Sequence, residues 1–109
     1  MNNAKLSSDL LRGHTDTIIL KLLLDGDKYG YEIIKLVAEL SKNDYELKEA
    51  TMYSSLKRLE TDQGILSYWG DESQGGRRKY YRITNIGRDM YRTNKQNWDY
   101  SMKILKELL

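Results

Sequence analysis

Apolar positions recur with a helical period along most of this chain. Ser8 can cap a first helix running from about Asp9 to Leu24, with Gly26 just past its end. Asp27 can cap a second from about Tyr29 to Leu40, in which Ile33, Leu36, Val37 and Leu40 form a core stripe. Ser41 to Asp44 reads as a loop. From Thr51 to Glu60, Met52, Leu56 and Leu59 share one face at i, i+4 and i+7. Lys48 stands where a capping side chain would be expected, so the start of this third helix is not fixed by the pattern. A last helix begins at Thr84, or just after it, and runs to the end.

The period changes between the third and last helices. Ile65 to Gly70 and Lys79 to Ile83 are rich in β-branched and aromatic residues, as strands are. Asp71-Glu72-Ser73-Gln74-Gly75-Gly76 between them reads as a polar hairpin connection. Arg77, Arg78, Lys79 and Arg82 follow at once. Cations beside a glycine-rich tip suit phosphate contact, although a solvated edge strand protected by charge has the same composition.

On the third helix a second stripe, Thr51, Ser54, Ser55 and Arg58, falls on another face from the apolar one. Small hydroxyls let a helix approach base edges, and Arg and Lys reach guanine or phosphate. An ordinary solvated face would read the same way. What distinguishes this one is its position, directly before a basic hairpin.

These residues resemble the PadR family of winged-helix transcriptional regulators, in particular its short members with a single C-terminal helix. The resemblance runs over nearly the whole chain. It is carried by Ala50-Thr51-Met52-Tyr53, Leu56-Lys57-Arg58-Leu59-Glu60, Ser67-Tyr68-Trp69-Gly70 and Gly75 to Thr84. Tyr29-Gly30-Tyr31-Glu32-Ile33-Ile34 matches more weakly. The expected fold is mainly α with a small β-hairpin wing, a winged helix-turn-helix plus a long C-terminal dimerisation helix. One domain is expected over 1–109, with 9–83 as the DNA-binding part and 84–109 as the dimerisation helix. The resemblance implies a homodimeric repressor that binds a near-palindromic operator in double-stranded DNA. Thr51, Tyr53, Ser54, Ser55, Lys57 and Arg58 would lie at the DNA surface of the recognition helix. Arg77, Arg78 and Lys79 would hold flanking phosphates. A winged-helix module that binds proteins and senses no ligand is the alternative.

Composition narrows the remaining classes. The 109 residues make one domain, and a 39% hydrophobic share supports a modest core that gains from oligomerisation. The net charge is only +2, so basicity is local, at the wing, as for a docking surface. Without cysteine there is no disulfide, thiolate zinc site or cysteine nucleophile. The N-terminus carries no signal-peptide pattern and no apolar run approaches a membrane span, so a cytoplasmic protein is expected. No nucleophile with a base, carboxylate pair or phosphate-binding glycine loop is evident, so neither an enzyme nor a bound cofactor or metal is expected. His14, the only histidine, has no nearby ligand set.

On the last helix Ile86, Met90, Tyr91, Trp98, Met102, Ile104, Leu105, Leu108 and Leu109 share one side. Such a helix is roughly 36 Å long. A small domain cannot cover so long a stripe, and a second copy is the natural partner. Met90, Tyr91, Trp98, Leu105 and Leu108 are the expected dimer contacts. Packing on the chain's own first helix is the competing arrangement. Trp98 stands beside Asn94 and Ser101, side chains too small to fill the space next to an indole. Some family members carry a tryptophan here, and their two copies sandwich flat aromatic compounds. Trp98, Asn94, Ser101 and Met102 would then form an effector site. The drug-binding members have a carboxylate one turn after the tryptophan, where this chain has Met102, which favours neutral ligands here.

Overall fold

The computed structural model describes residues 11–70 and 77–109. A short 3₁₀ turn, Arg12–His14, leads into α1, Thr15–Leu23. β1 is Lys28–Tyr29, α2 is Gly30–Leu40, and α3 is Glu49–Thr61. β2 (Ile65–Trp69) and β3 (Lys79–Ile83) precede α4, Asn85–Leu108. The expected cap at Ser8 and the hairpin tip 71–76 lie outside the described residues. The fold class is as expected from the sequence, mostly helical with a small antiparallel sheet.

The core is built where α1, α2 and α3 meet the sheet. Ile19, Leu20, Ile33, Met52, Leu56 and Leu59 have at most 1% of their surface exposed. Burying each such aliphatic side chain is worth about 1.5–3 kcal/mol. Tyr45 and Leu47, in the connection before α3, are buried with them, and periodicity gave no hint of either. On α2, Ile33 and Val37 are buried as expected, but Leu40 is 72% exposed. The helix ends there, and only Leu40 of the four lies beyond the reach of the core.

The sheet has three strands in the order β1-β3-β2, one more than the hairpin expected. Lys28 pairs with Tyr81 and Tyr29 with Tyr80, while Ile65 pairs with Ile83 and Trp69 with Lys79. β1 borrows residues expected to open the second helix. Asp27 therefore does not cap α2. The Tyr29 N–H donates to Glu32 Oε1 instead (3.1 Å), and Asp27 turns to the wing. Lys48 stands before α3 in extended conformation without a side-chain cap.

α4 is fixed at its start. The Thr84 hydroxyl accepts from the Gly87 N–H (3.0 Å), which caps the helix. The same hydroxyl lies 2.7 Å from the Gln63 carbonyl and 3.0 Å from that of Gly64. Gly87 is required here by close approach, because a Cβ would sit 2.1 Å from the Gly64 carbonyl oxygen. Met90 and Tyr91 pack against the chain's own core. The first half of α4 thus covers its own domain with two of the residues expected at the dimer contact, and each stays only partly buried. Beyond Asn94 every residue of the helix is exposed.

Candidate nucleic-acid interface

α3 exposes Thr51, Tyr53, Ser54, Lys57 and Arg58 and buries Met52, Ser55, Leu56 and Leu59. Ser55, expected at the DNA surface, is 0% exposed. Its hydroxyl donates to Asp16 Oδ1 on α1 at 2.5 Å, and this bond is what lets a serine occupy the core side of the helix. The outward face is therefore centred on Ala50, Ser54, Lys57 and Thr61. It is turned by most of one residue's 100° step from the Thr51-Ser54-Ser55-Arg58 stripe.

The two flanks of that face differ. On the α1 side Arg58 is held by Asp16 through Nε (3.0 Å to Oδ2) and Nη2 (2.7 Å to Oδ1). Burial raises the Asp16 pKa, but the hydrogen bonds from Arg58 and Ser55 and the Arg58 charge outweigh it, leaving the carboxyl below its ordinary range. On the wing side Tyr53 leans its hydroxyl over Gly30, where a Cβ would lie 2.7 Å from that oxygen. Tyr29, Tyr31, Tyr53, Trp69, Arg78 and Lys79 line an open cleft of about 590 Å³ between α3 and the wing. Sequence reasoning missed this cleft. Its signal is the Tyr29-Gly30-Tyr31 run, which in the sequence reads as the start of a helix and a weaker part of the family resemblance.

Arg77, Arg78 and Lys79 are all exposed on the wing. Arg77 lies 5.6 Å from the Trp69 ring centroid and Arg78 4.5 Å from that of Tyr29. Both guanidiniums thus rest on aromatic faces, and neither forms an ion pair among the described residues. Arg82, counted with them in the sequence, is engaged differently. It donates to Asp27 through Nη2 (2.9 Å) and Nε, and stacks 5.2 Å over Tyr68, whose hydroxyl also donates to Asp27. The Arg82 hydrogen bond is the main reason the Asp27 carboxyl sits below its ordinary range. The Asp27 cluster ties the wing to the turn after α1, so Arg82 braces the wing.

The second half of α4 leaves an apolar stripe uncovered. Trp98 is 41% exposed, Leu105 45% and Leu108 74%, with Met102 and Ile104 beside them. Trp98, Asn94, Ser101 and Met102 come together on one cavity of about 440 Å³, with His14, Asp16 and Thr17 of the opposite wall. Asn94 Nδ2 donates to Thr17 Oγ1 (3.0 Å), and Lys95 lies 5.2 Å from the Trp98 ring centroid. His14 is thus a wall residue of this cavity. No metal-binding group of His, Cys, Asp or Glu occurs among the described residues.

The PadR-like transcriptional regulator family model matches residues 19–93, from the core of α1 into α4. The chain belongs to this family. A solved transcriptional regulator from Clostridium thermocellum is 44% identical, with a TM-score of 0.87, and the match covers 94% of this chain and 96% of that one. A PadR family regulator from hypervirulent Clostridium difficile R20291 is 43% identical with a TM-score of 0.77, over 88% of this chain and 98% of its own. An uncharacterized protein of Lysinibacillus sphaericus is 51% identical over 81 residues, 74% of each chain.

This PadR-like chain is therefore a DNA-binding transcriptional regulator and not an enzyme. Among its described residues no helix is long and apolar enough to cross a membrane. Its α2 and α3 form the helix-turn-helix, and β2 and β3 form the wing. An exposed, hydroxyl-bearing helix face and exposed arginines of the wing are the chemistry that base-edge and phosphate contacts require.

Proposed function

We propose that the chain is a homodimeric, operator-binding repressor working in the cytoplasm, where the DNA it reads lies. The domain is a single unit over 1–109, with 84–109 serving dimerisation. Thr51, Tyr53, Ser54 and Lys57 meet base edges and adjacent phosphates in the major groove, and Arg58 reaches in from the flank. Arg77, Arg78 and Lys79 hold the flanking backbone. The observation carrying this reading is that the α3 face left open near the basic wing is hydroxylic and cationic, while the open face of α4 is apolar. Trp98, Leu105 and Leu108, with Met102 and Ile104, are what a second copy would cover.

The experiment is a titration of fluorescent duplex DNA across salt concentrations. Strong salt dependence and tighter binding to a selected near-palindrome than to random duplex are expected. A protein-interaction module would bind duplex DNA with neither property.

A second reading is supported by the cavity beside Trp98. A flat, largely apolar compound binds there against the indole and weakens DNA binding, because it fits one spacing of the two wings better than another. Asp16, the one carboxylate among the described lining residues, is engaged by Arg58, so the described wall offers no free negative charge and favours neutral guests. In a Trp69→Phe background, planar aromatics should quench Trp98 emission. A Trp98→Ala variant should lose ligand response while keeping DNA affinity. An unchanged response in that variant would leave Trp98 as an interface anchor only.

A further inference from the structure

The contact between Asp16 and Arg58 has a geometry that a surface ion pair does not need. The guanidinium is held at two points, Nε to Oδ2 and Nη2 to Oδ1, as a fork on a carboxylate. Ser55 fixes the same carboxylate from inside the core, donating to Oδ1, and itself lies 3.0 Å from Arg58 Nη2. The carboxylate is therefore braced from a buried side chain and in turn braces an exposed one: the Arg58 side chain keeps 54% of its surface and that of Asp16 keeps 25%. Arg58 Nη1 makes no hydrogen bond among the described residues. Arg58 itself stands on the edge of the helix face that carries Ser54 and Lys57.

We infer that Asp16, on a helix that does not read DNA, is a specificity-determining positioning residue for Arg58. The carboxylate has two effects. It cancels most of the charge that would draw a free arginine onto the nearest phosphate, and it removes the rotamer freedom that would let the side chain reach one. What remains is a directed donor, Nη1, on a side chain fixed against the helix. Such a group discriminates base acceptors in a way a mobile cation does not. This inference rests on the reading of α3 as the DNA-contacting helix. Replacing Asp16 by the near-isosteric Asn removes the charge and half of the fork. Arg58 then becomes a phosphate-seeking cation.

The test compares Asp16→Asn, Arg58→Ala and the double variant for binding to a selected operator and to random duplex over a salt series. For Asp16→Asn, preference for the operator should fall about tenfold, and random duplex should bind more tightly. The plot of log K against log salt should steepen by about 1, the effect of one added phosphate contact. In the Arg58→Ala background the same substitution should change neither quantity. Arg58→Lys keeps the charge but cannot be held by a fork, so it should lose operator preference while retaining affinity for random duplex. Equal steepening with and without Arg58 would mean a general charge effect and overturn the inference, as would full operator preference in Arg58→Lys. Lys57→Ala separates the two levels. If it weakens binding while Asp16→Asn changes nothing, only the role of Asp16 fails. If it too has no effect, the assignment of α3 to DNA fails.

Discussion

The third and fourth helices each leave one face uncovered, and the two faces carry opposite chemistry. On α3 the open positions are Thr51, Ser54 and Lys57, with Tyr53 and Arg58 at the flanks. On the distal half of α4 they are Trp98, Met102, Ile104, Leu105 and Leu108. Hydroxyls and cations are stable in water and gain by meeting a polyanion. An apolar stripe continuing past the domain gains only by leaving water. Amphipathicity alone would not have separated these helices. What the rest of the chain already covers does separate them.

Exchanging the chemistry of the faces should break the two functions independently. Leu105→Glu with Met102→Glu places two charges in the stripe. Burying unpaired charge costs several kcal/mol, so the dimer dissociation constant should rise by about 100-fold or more in sedimentation measurements. Lys57→Glu puts the same charge on α3 and should leave the dimer intact while abolishing DNA binding. Loss of dimer in the α3 variant would mean that the faces have been assigned the wrong way round.

The covered start of α4 can be tested apart from its open end. Gly87→Ala forces a Cβ toward the Gly64 carbonyl and should cost about 1–3 kcal/mol. Thermal unfolding should shift downward by several degrees. A variant as stable as the parent would show that the crossing of α4 over the α3–β2 turn is looser than 2.1 Å implies.

At the wing, Arg77→Ala with Arg78→Ala should weaken every duplex alike and flatten the salt slope by about 2, one for each lost contact. Ser54→Ala should instead change which sequence is preferred. A wing variant that altered preference and kept the slope would reverse these two roles.

The smallest effect concerns acid. Asp16 and Asp27 both have carboxyls held below their ordinary pKa in the folded protein. Their contribution to stability is complete above the unfolded value of about 4 and is lost as pH falls from there through the lower folded values. Both sites are partly exposed, so the change is modest. Urea midpoints measured between about pH 5 and pH 2.5 should fall less steeply for Asp16→Asn than for the parent, with parallel curves above pH 5.

Much of this arrangement was legible in the residues. The helix period of α2, α3 and α4 and the strand character beside a basic run located the helix-turn-helix, the wing and the long final helix. What could not be read depended on partners distant in the chain. Spacing puts Ser55 on the outward face because it sorts residues into faces without saying which polar residue finds a buried acceptor, and Asp16 lies 39 positions away. Asp27 looked like a cap because it precedes a helical pattern, but Arg82, 55 positions on, claims its carboxylate. β1 is two residues long, too short for any alternation to register. Met90 and Tyr91 belonged to the same stripe as Leu105, and only the crossing at Gly87 shows which part of the stripe the domain covers itself.

Two copies joined through α4 would present two α3 faces and two wings to one duplex. Selection of bound DNA from a random library, followed by sedimentation of the protein with the selected duplex, tests it most directly. A near-palindrome with half-sites centred about 10 bp apart, or a multiple of that, carrying two chains per duplex, is expected. A single asymmetric site bound by one chain, or a pool no tighter than random sequence, would contradict it.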